Sequence, residues 1–110
     1  MMNDRPKRVI LDPKAKPPKR QVASNAVWEI GANYLIRTVT MIDTGRLVMV
    51  TDHELVLEDA AWIAESGRFA DALQSAEFNE VEPFPEGQVI VGRGAIIDAV
   101  KIPKLPRIQK

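Results

Sequence analysis

Four carboxylates crowd one short stretch of the sequence, Asp52, Glu54, Glu58 and Asp59, and the single histidine, His53, lies among them. Oxygen ligands of this kind suit a hard divalent cation, and a histidine among them could serve as a pH switch. The spacing argues against a metal. A cation needs several oxygens converging on one point, whereas this stretch reads as a strand, and alternation sends Glu58 and Asp59 to opposite faces. His53 next to Asp52 falls in a predicted turn, where a solvated histidine has no special task. A second candidate is Arg93, flanked by Gly92 and Gly94. Its guanidinium could stack on a base or grip a phosphate, or it could pair with a carboxylate of the chain itself. The excess of acid around it favours the ion pair. Trp62 and Phe69 could serve as stacking platforms for bases, but their apolar neighbours favour packing.

No catalytic constellation emerges. The chain has no cysteine, no Ser, His and acid arrangement supported by context, and no phosphate loop, since Gly-Arg-Gly falls far short of G-x-x-x-x-G-K-[ST]. The expectation is a non-enzyme with no metal and no cofactor. Absence of cysteine also removes disulfides and thiolate metal sites, and one histidine does not make a zinc centre.

The elements that must position these residues are short. NYLIRTVT (33–40) is rich in β-formers, with Asp43, Thr44 and Gly45 as the predicted turn of a first hairpin. RLVMVT (46–51), a turn at Asp52 and His53, and ELVLEDAAWI (54–63) make a second hairpin. SGRFADALQSA (66–76) spaces Phe69, Ala72, Leu73 and Ala76 by threes and fours, which predicts a short helix capped by Ser66. EFNEVEPFPEGQ (77–88) reads as a proline-held loop. QVIVGRGAIIDAVKI then gives two strands bent sharply at Gly92 and Gly94. Five antiparallel strands and one short helix close most simply into a small, open barrel. If it stays open, residues 89–91 and 95–100 are apolar edges that need a partner, and a closed ring of identical subunits supplies one.

The formal charge of zero conceals a segregation. Residues 1–22 hold Arg5, Lys7, Arg8, Lys14, Lys16, Lys19 and Arg20 against Asp4 and Asp12, and residues 101–110 hold Lys101, Lys104, Arg107 and Lys110 with no acid. Between them, Arg37, Arg46, Arg68 and Arg93 face thirteen carboxylates. The body is acidic and both ends are basic. The prolines at 6, 13, 17 and 18 predict an extended or disordered arm over 1–22, followed by a barrel domain over 23–102 and a basic tail over 103–110, in which Ile102, Leu105 and Ile108 are possible docking points. No apolar run suggests a signal peptide or a membrane span, so a soluble protein of the cytoplasm or of a virion is expected.

Taken together, these segments resemble a known family. GRLVMVTDHELVLEDA is similar to the first Sm motif, a glycine near the start of a bent strand followed by an apolar strand ending in acid, and VIVGRGAIIDAV resembles the second. The combination of YLIRTVT, GRL, AAWIAESGRF, NEVEPF and VIVGRGAIIDA is similar to divergent Sm-like proteins of cyanophage origin. The resemblance covers most of residues 33–102. It implies a five-stranded open antiparallel barrel that assembles into a ring, with the helical segment inserted between the third and fourth strands. It also implies a site, because Sm-like rings bind single-stranded RNA near the pore through a loop of each motif. Arg93 and Gly94 fall on the second of these loops. The first departs from the pattern: Asp52, His53 and Glu54 stand where RNA-binding members carry Met-Asn after an Asp, and a carboxylate there repels phosphate in every subunit.

The reading that follows is a homo-oligomeric ring, a structural or assembly component encoded by a phage, whose basic arms (Arg5, Lys7, Arg8, Lys14, Lys16, Lys19, Arg20, Lys101 and Lys104) contact neighbouring subunits or partner proteins. The alternative is a ring that holds single-stranded RNA through Arg93 and the arms, with Asp52, His53, Glu54 and Gly94 facing the pore.

Overall fold

The computed structural model describes residues 27–110, so the predicted arm over 1–22, with Arg5, Lys7, Arg8, Lys14, Lys16, Lys19 and Arg20, lies outside the described residues. Strands β1 (Asn33–Thr38), β2 (Ile42–Val50) and β3 (Glu54–Glu65) form an antiparallel meander. Helix α1 (Phe69–Ser75) and β4 (Glu80–Pro83) follow, then β5 (Val89–Gly92), a 3-10 turn over Arg93–Ala95, and β6 (Ile96–Lys101). The sheet order is β4-β3-β2-β1-β6, and β5 pairs with the first half of β3 while β4 pairs with its second half. The architecture is mainly β: one open antiparallel sheet with one short helix. Among the described residues it has six strands rather than five, because Glu80–Pro83, expected as loop, adds itself to β3.

Two local expectations are corrected. Asp43, Thr44 and Gly45 are not a turn but part of β2, paired with Ile36, Leu35 and Tyr34 of β1; the reversal falls at Val39 and Thr40, where the Thr38 N–H donates to the Met41 carbonyl at 2.8 Å. Gly45 is there for space: a Cβ on it would lie 2.7 Å from the Leu57 Cβ. Nor does Ser66 cap the helix. Arg68 holds the N-cap position without a side-chain bond, and the Ser66 hydroxyl donates instead to the Gly67 carbonyl. The helix ends where Ala76 turns left-handed, at φ 57°.

The sheet separates two cores. On one side Tyr34, Ile36, Leu47, Leu55, Leu57, Ala60 and Val91 fill the inside of the curled sheet. On the other, Leu35, Ala61, Ile63 and Val81 meet Ala72 and Ala76 of the helix, with Phe78 and Ile102. Strand β3 contributes odd-numbered residues to both, Leu55 and Leu57 to the first and Ala61 and Ile63 to the second. A regular strand would put all four on one face. The register with β2 shifts between Thr44↔Ala61 and Arg46↔Glu58, so β3 carries an extra residue there, and Asp59 at φ 50° marks the bulge. One inserted residue exchanges the two faces for everything after it.

Candidate functional site

The hairpin turn between β2 and β3 is closed by Thr51. Its N–H donates to the Glu54 carbonyl at 2.9 Å, and its hydroxyl accepts from the N–H groups of His53 and Glu54 while donating to the Glu54 carboxylate at 2.7 Å. Onto this turn the 3-10 segment after β5 is fastened by Arg93, whose backbone N–H donates to the His53 carbonyl at 2.9 Å and whose guanidinium donates to the Thr51 carbonyl. The fold therefore gathers Asp52, His53, Glu54, Arg93 and Gly94 at one end of the molecule, although the two segments are far apart in sequence. Asp52, His53 and Glu54 are exposed, Gly94 is exposed, and a Cβ at Gly92 or Gly94 would meet nothing within 4 Å. The bend needs neither glycine for room, and neither has a positive φ.

The expectation that Glu58 and Asp59 point to opposite faces fails at the bulge. Arg46, across from Glu58 on β2, donates to both: to Glu58 at 3.1 Å and, through its other terminal nitrogen, to Asp59. Arg107 approaches Asp59 as well, at 3.3 Å. Hydrogen bonding from Arg46, helped by both guanidinium charges, holds the Asp59 carboxyl below the usual carboxylate range. The acidic run thus pins a backbone irregularity. Among the described residues no group of three or more acidic, histidine or cysteine side chains is placed to hold a metal ion.

A group that residue-level reasoning missed is Asp43. It is 5% exposed on β2, one of its carboxylate oxygens has no hydrogen-bond partner, and burial pushes its pKa up. Its position inside what reads as a turn gave no signal, because only the true site of the reversal shows that it is buried.

The basic C-terminal residues turn back onto their own chain. Lys101 pairs with Glu29, Lys104 with Glu77 at 2.7 Å, and Lys110 also reaches Glu77 at 3.8 Å, which lowers the Glu77 pKa, chiefly through the Lys104 bond. Ile102 is buried, Leu105 packs on the helix-side core, and Lys110 exchanges two backbone hydrogen bonds with Val81, covering the outer edge of β4. Of the three expected docking points only Ile108 stays exposed. Within the described residues, the ion pairs of Lys101 and Lys104 are made with Glu29 and Glu77.

Two strand edges remain. Among the described residues β5 is hydrogen-bonded only to β3 and β6 only to β1. Both carry exposed apolar side chains, Ile90 on β5 and Ile97 and Val100 on β6. Trp62 and Phe69, expected to pack the helix on the sheet, part company. Phe69 packs on the helix-side core under the Arg37 guanidinium, 5.5 Å from its ring centre, while Trp62 faces outward. No helix among the described residues is long and apolar enough to cross a membrane. No family model, curated protein or solved structure matches the chain.

Proposed function

We propose that this chain is an Sm-like, non-enzymatic ring-forming protein that serves as a structural or assembly component, phage virions included, with basic arms reaching neighbouring subunits. The reading is carried by one observation: among the described residues the sheet ends in two edges that pair with no further strand, β5 and β6, separated in sequence only by the turn over Arg93–Ala95. An exposed apolar edge is a template for another strand, and the β4 edge, by contrast, is occupied by Lys110. When β5 of one subunit pairs with β6 of the next, both edges are satisfied by a single head-to-tail contact, and such contacts close into a ring if the rotation allows it. Further support comes from the placement of helix α1 and β4 as an insertion between β3 and β5, which leaves five strands in the order β6-β1-β2-β3-β5.

The RNA-holding alternative draws on the gathering of Arg93 and Gly94 with the 51–54 turn, repeated in each subunit of a ring. Asp52 and Glu54 in the same cluster weigh against phosphate. Light scattering on a sizing column, with absorbance read for protein and nucleic acid together, separates the two. A mass of several subunits free of nucleic acid is expected; a ring that carries nucleic acid favours the RNA reading, and a monomer overturns both.

A further inference from the structure

Among the described residues, the side chains of β3 and β4 that look away from helix α1 are exposed or half-buried. Ile63 and Val81, in register with each other, point into the helix-side core. Their neighbours Trp62 and Glu82, also in register, point the other way, and beyond the shift after Ile63 so do Glu65 and Glu80, which lie directly opposite each other. Two like charges facing across a strand pair repel. Glu65 is partly satisfied by the Gly67 N–H at 2.6 Å and the Asn79 amide at 3.3 Å, and Glu82 by the Gln109 amide at 3.5 Å. No lysine or arginine among the described residues forms an ion pair with Glu65, Glu80 or Glu82.

On the other side of Trp62 from Glu82 lies a shallow groove of about 370 Å³, lined by Trp62, Ile63, Met41, Ile42 and Ile97 with Arg37 at one side; the three glutamates border Trp62 without lining the groove itself. Arg37 is paired with Asp98, its hydrogen bond from Nε at 2.8 Å, so the lining carries no uncompensated positive charge, and the acid in register with its tryptophan on β4 is Glu82. An exposed tryptophan in an apolar groove flanked by carboxylates matches one kind of ligand in particular. A polyproline segment offers flat pyrrolidine faces for the indole at little entropic cost, and interspersed cations answer the acids.

One stretch of the sequence has the matching composition. Residues 14–20, Lys-Ala-Lys-Pro-Pro-Lys-Arg, hold two adjacent prolines, four cations and no acid; they lie outside the described residues. We propose that this segment of a second copy docks in the Trp62 groove, its prolines on the indole and its cations on Glu65, Glu80 and Glu82. The inference rests on the ring reading in one respect, that a second copy stands beside the first.

The test uses the full chain. Because there is no native cysteine, a Lys16→Cys variant takes a nitroxide at one place, and three cations of the segment remain. Nitroxide-bearing unlabelled chain is refolded together with ¹⁵N-labelled wild type, and the two tryptophan indole signals are followed. The expected result is loss of the Trp62 signal in the mixed sample while Trp28, which stacks edge-on against Tyr34 at 5.3 Å in a different part of the molecule, keeps its own. Glu80→Lys together with Glu82→Lys in the ¹⁵N chain should restore the Trp62 signal, and so should high salt. An intact Trp62 signal in the mixture overturns the proposal, and loss seen only when label and ¹⁵N share one chain overturns the second-copy occupant in favour of the chain's own arm. The mass of the same sample keeps the failures apart: an intact signal in a multi-subunit particle sinks the docking alone, whereas an intact signal in a monomer sinks the ring as well.

Discussion

Leu57 and Ile63 sit on the same strand at the same odd spacing, yet they are buried on opposite sides of the sheet. The first half of β3 runs between β2 and β5 and lines the inside of the curled sheet; the second half runs between β2 and β4 and lies under the helix. Between the halves stands the bulge at Asp59, clamped by Arg46. The difference shows how a small sheet can support two cores with one long strand. A single extra residue turns the strand over, so that one half closes the barrel-like side while the other offers its back to an inserted helix and its front to solvent. That front is where Trp62 lies, with Glu65, Glu80 and Glu82, which form no ion pair among the described residues.

The comparison can be broken most forcefully at the cores. Phe78→Ala on the helix side should cost about 3–5 kcal/mol and Leu57→Ala on the barrel side about 2–5 kcal/mol, since both side chains are essentially fully buried. The distinction lies in what each loosens. Hydrogen exchange on the Phe78 variant should speed chiefly in α1, β4 and the C-terminal tail, whereas Leu57→Ala should speed exchange throughout the sheet. Equal loss everywhere in both variants would show that the two halves unfold as one unit.

A smaller effect is expected at Gly45, where β2 crosses closest to the barrel-side half of β3. Gly45→Ala places a methyl 2.7 Å from the Leu57 Cβ, and overpacking of this kind should cost about 1–3 kcal/mol in urea denaturation. Gly94→Ala serves as the control, because a Cβ there meets nothing and stability should stay unchanged.

The smallest effects are in pH dependence, and the two acids near the bulge should move in opposite directions. Asp43 has a folded pKa raised by burial, so its cost is absent in acid and grows as pH rises past the unfolded value of about 3.9. Asp43→Asn should therefore stabilise the fold at neutral pH and gain nothing in acid. Asp59 has a lowered folded pKa, so its contribution is present above about pH 3.9 and is lost as pH falls through the folded value. Arg46→Met should destabilise at neutral pH, with the deficit shrinking in acid. Urea midpoints across pH check both, and an Asp43→Asn curve that coincides with wild type at neutral pH would remove the burial argument.

Much of the strand order was readable because its signals are local. The hairpin at 51–53 follows from β-prone runs flanking Thr51, Asp52 and His53. The helix follows from Phe69, Ala72, Leu73 and Ala76, and the late bend from Gly92 and Gly94. Asp52, His53, Glu54, Arg93 and Gly94 were singled out on two separate stretches, and the structure sets those stretches side by side through the bonds of Arg93 to the Thr51 and His53 carbonyls. What went unread depends on partners distant in sequence. Asp43, Thr44 and Gly45 have the composition of a turn, but their backbone groups find better partners in β1, and Gly45 is held by a neighbour on another strand.

Composition and periodicity by themselves determined a mainly β chain with one short helix, an acidic body and basic ends, since charge and local spacing need no third dimension. Only the tertiary structure decided that Glu58 and Asp59 share one arginine, that Asp43 is buried, that Lys104 and Lys110 fold back on Glu77, and that Trp62 is exposed in register with Glu82. Each of these depends on which strand lies beside which and in what register. That choice is made by the packing of the whole sheet, where one bulged residue outweighs the alternation written along the strand.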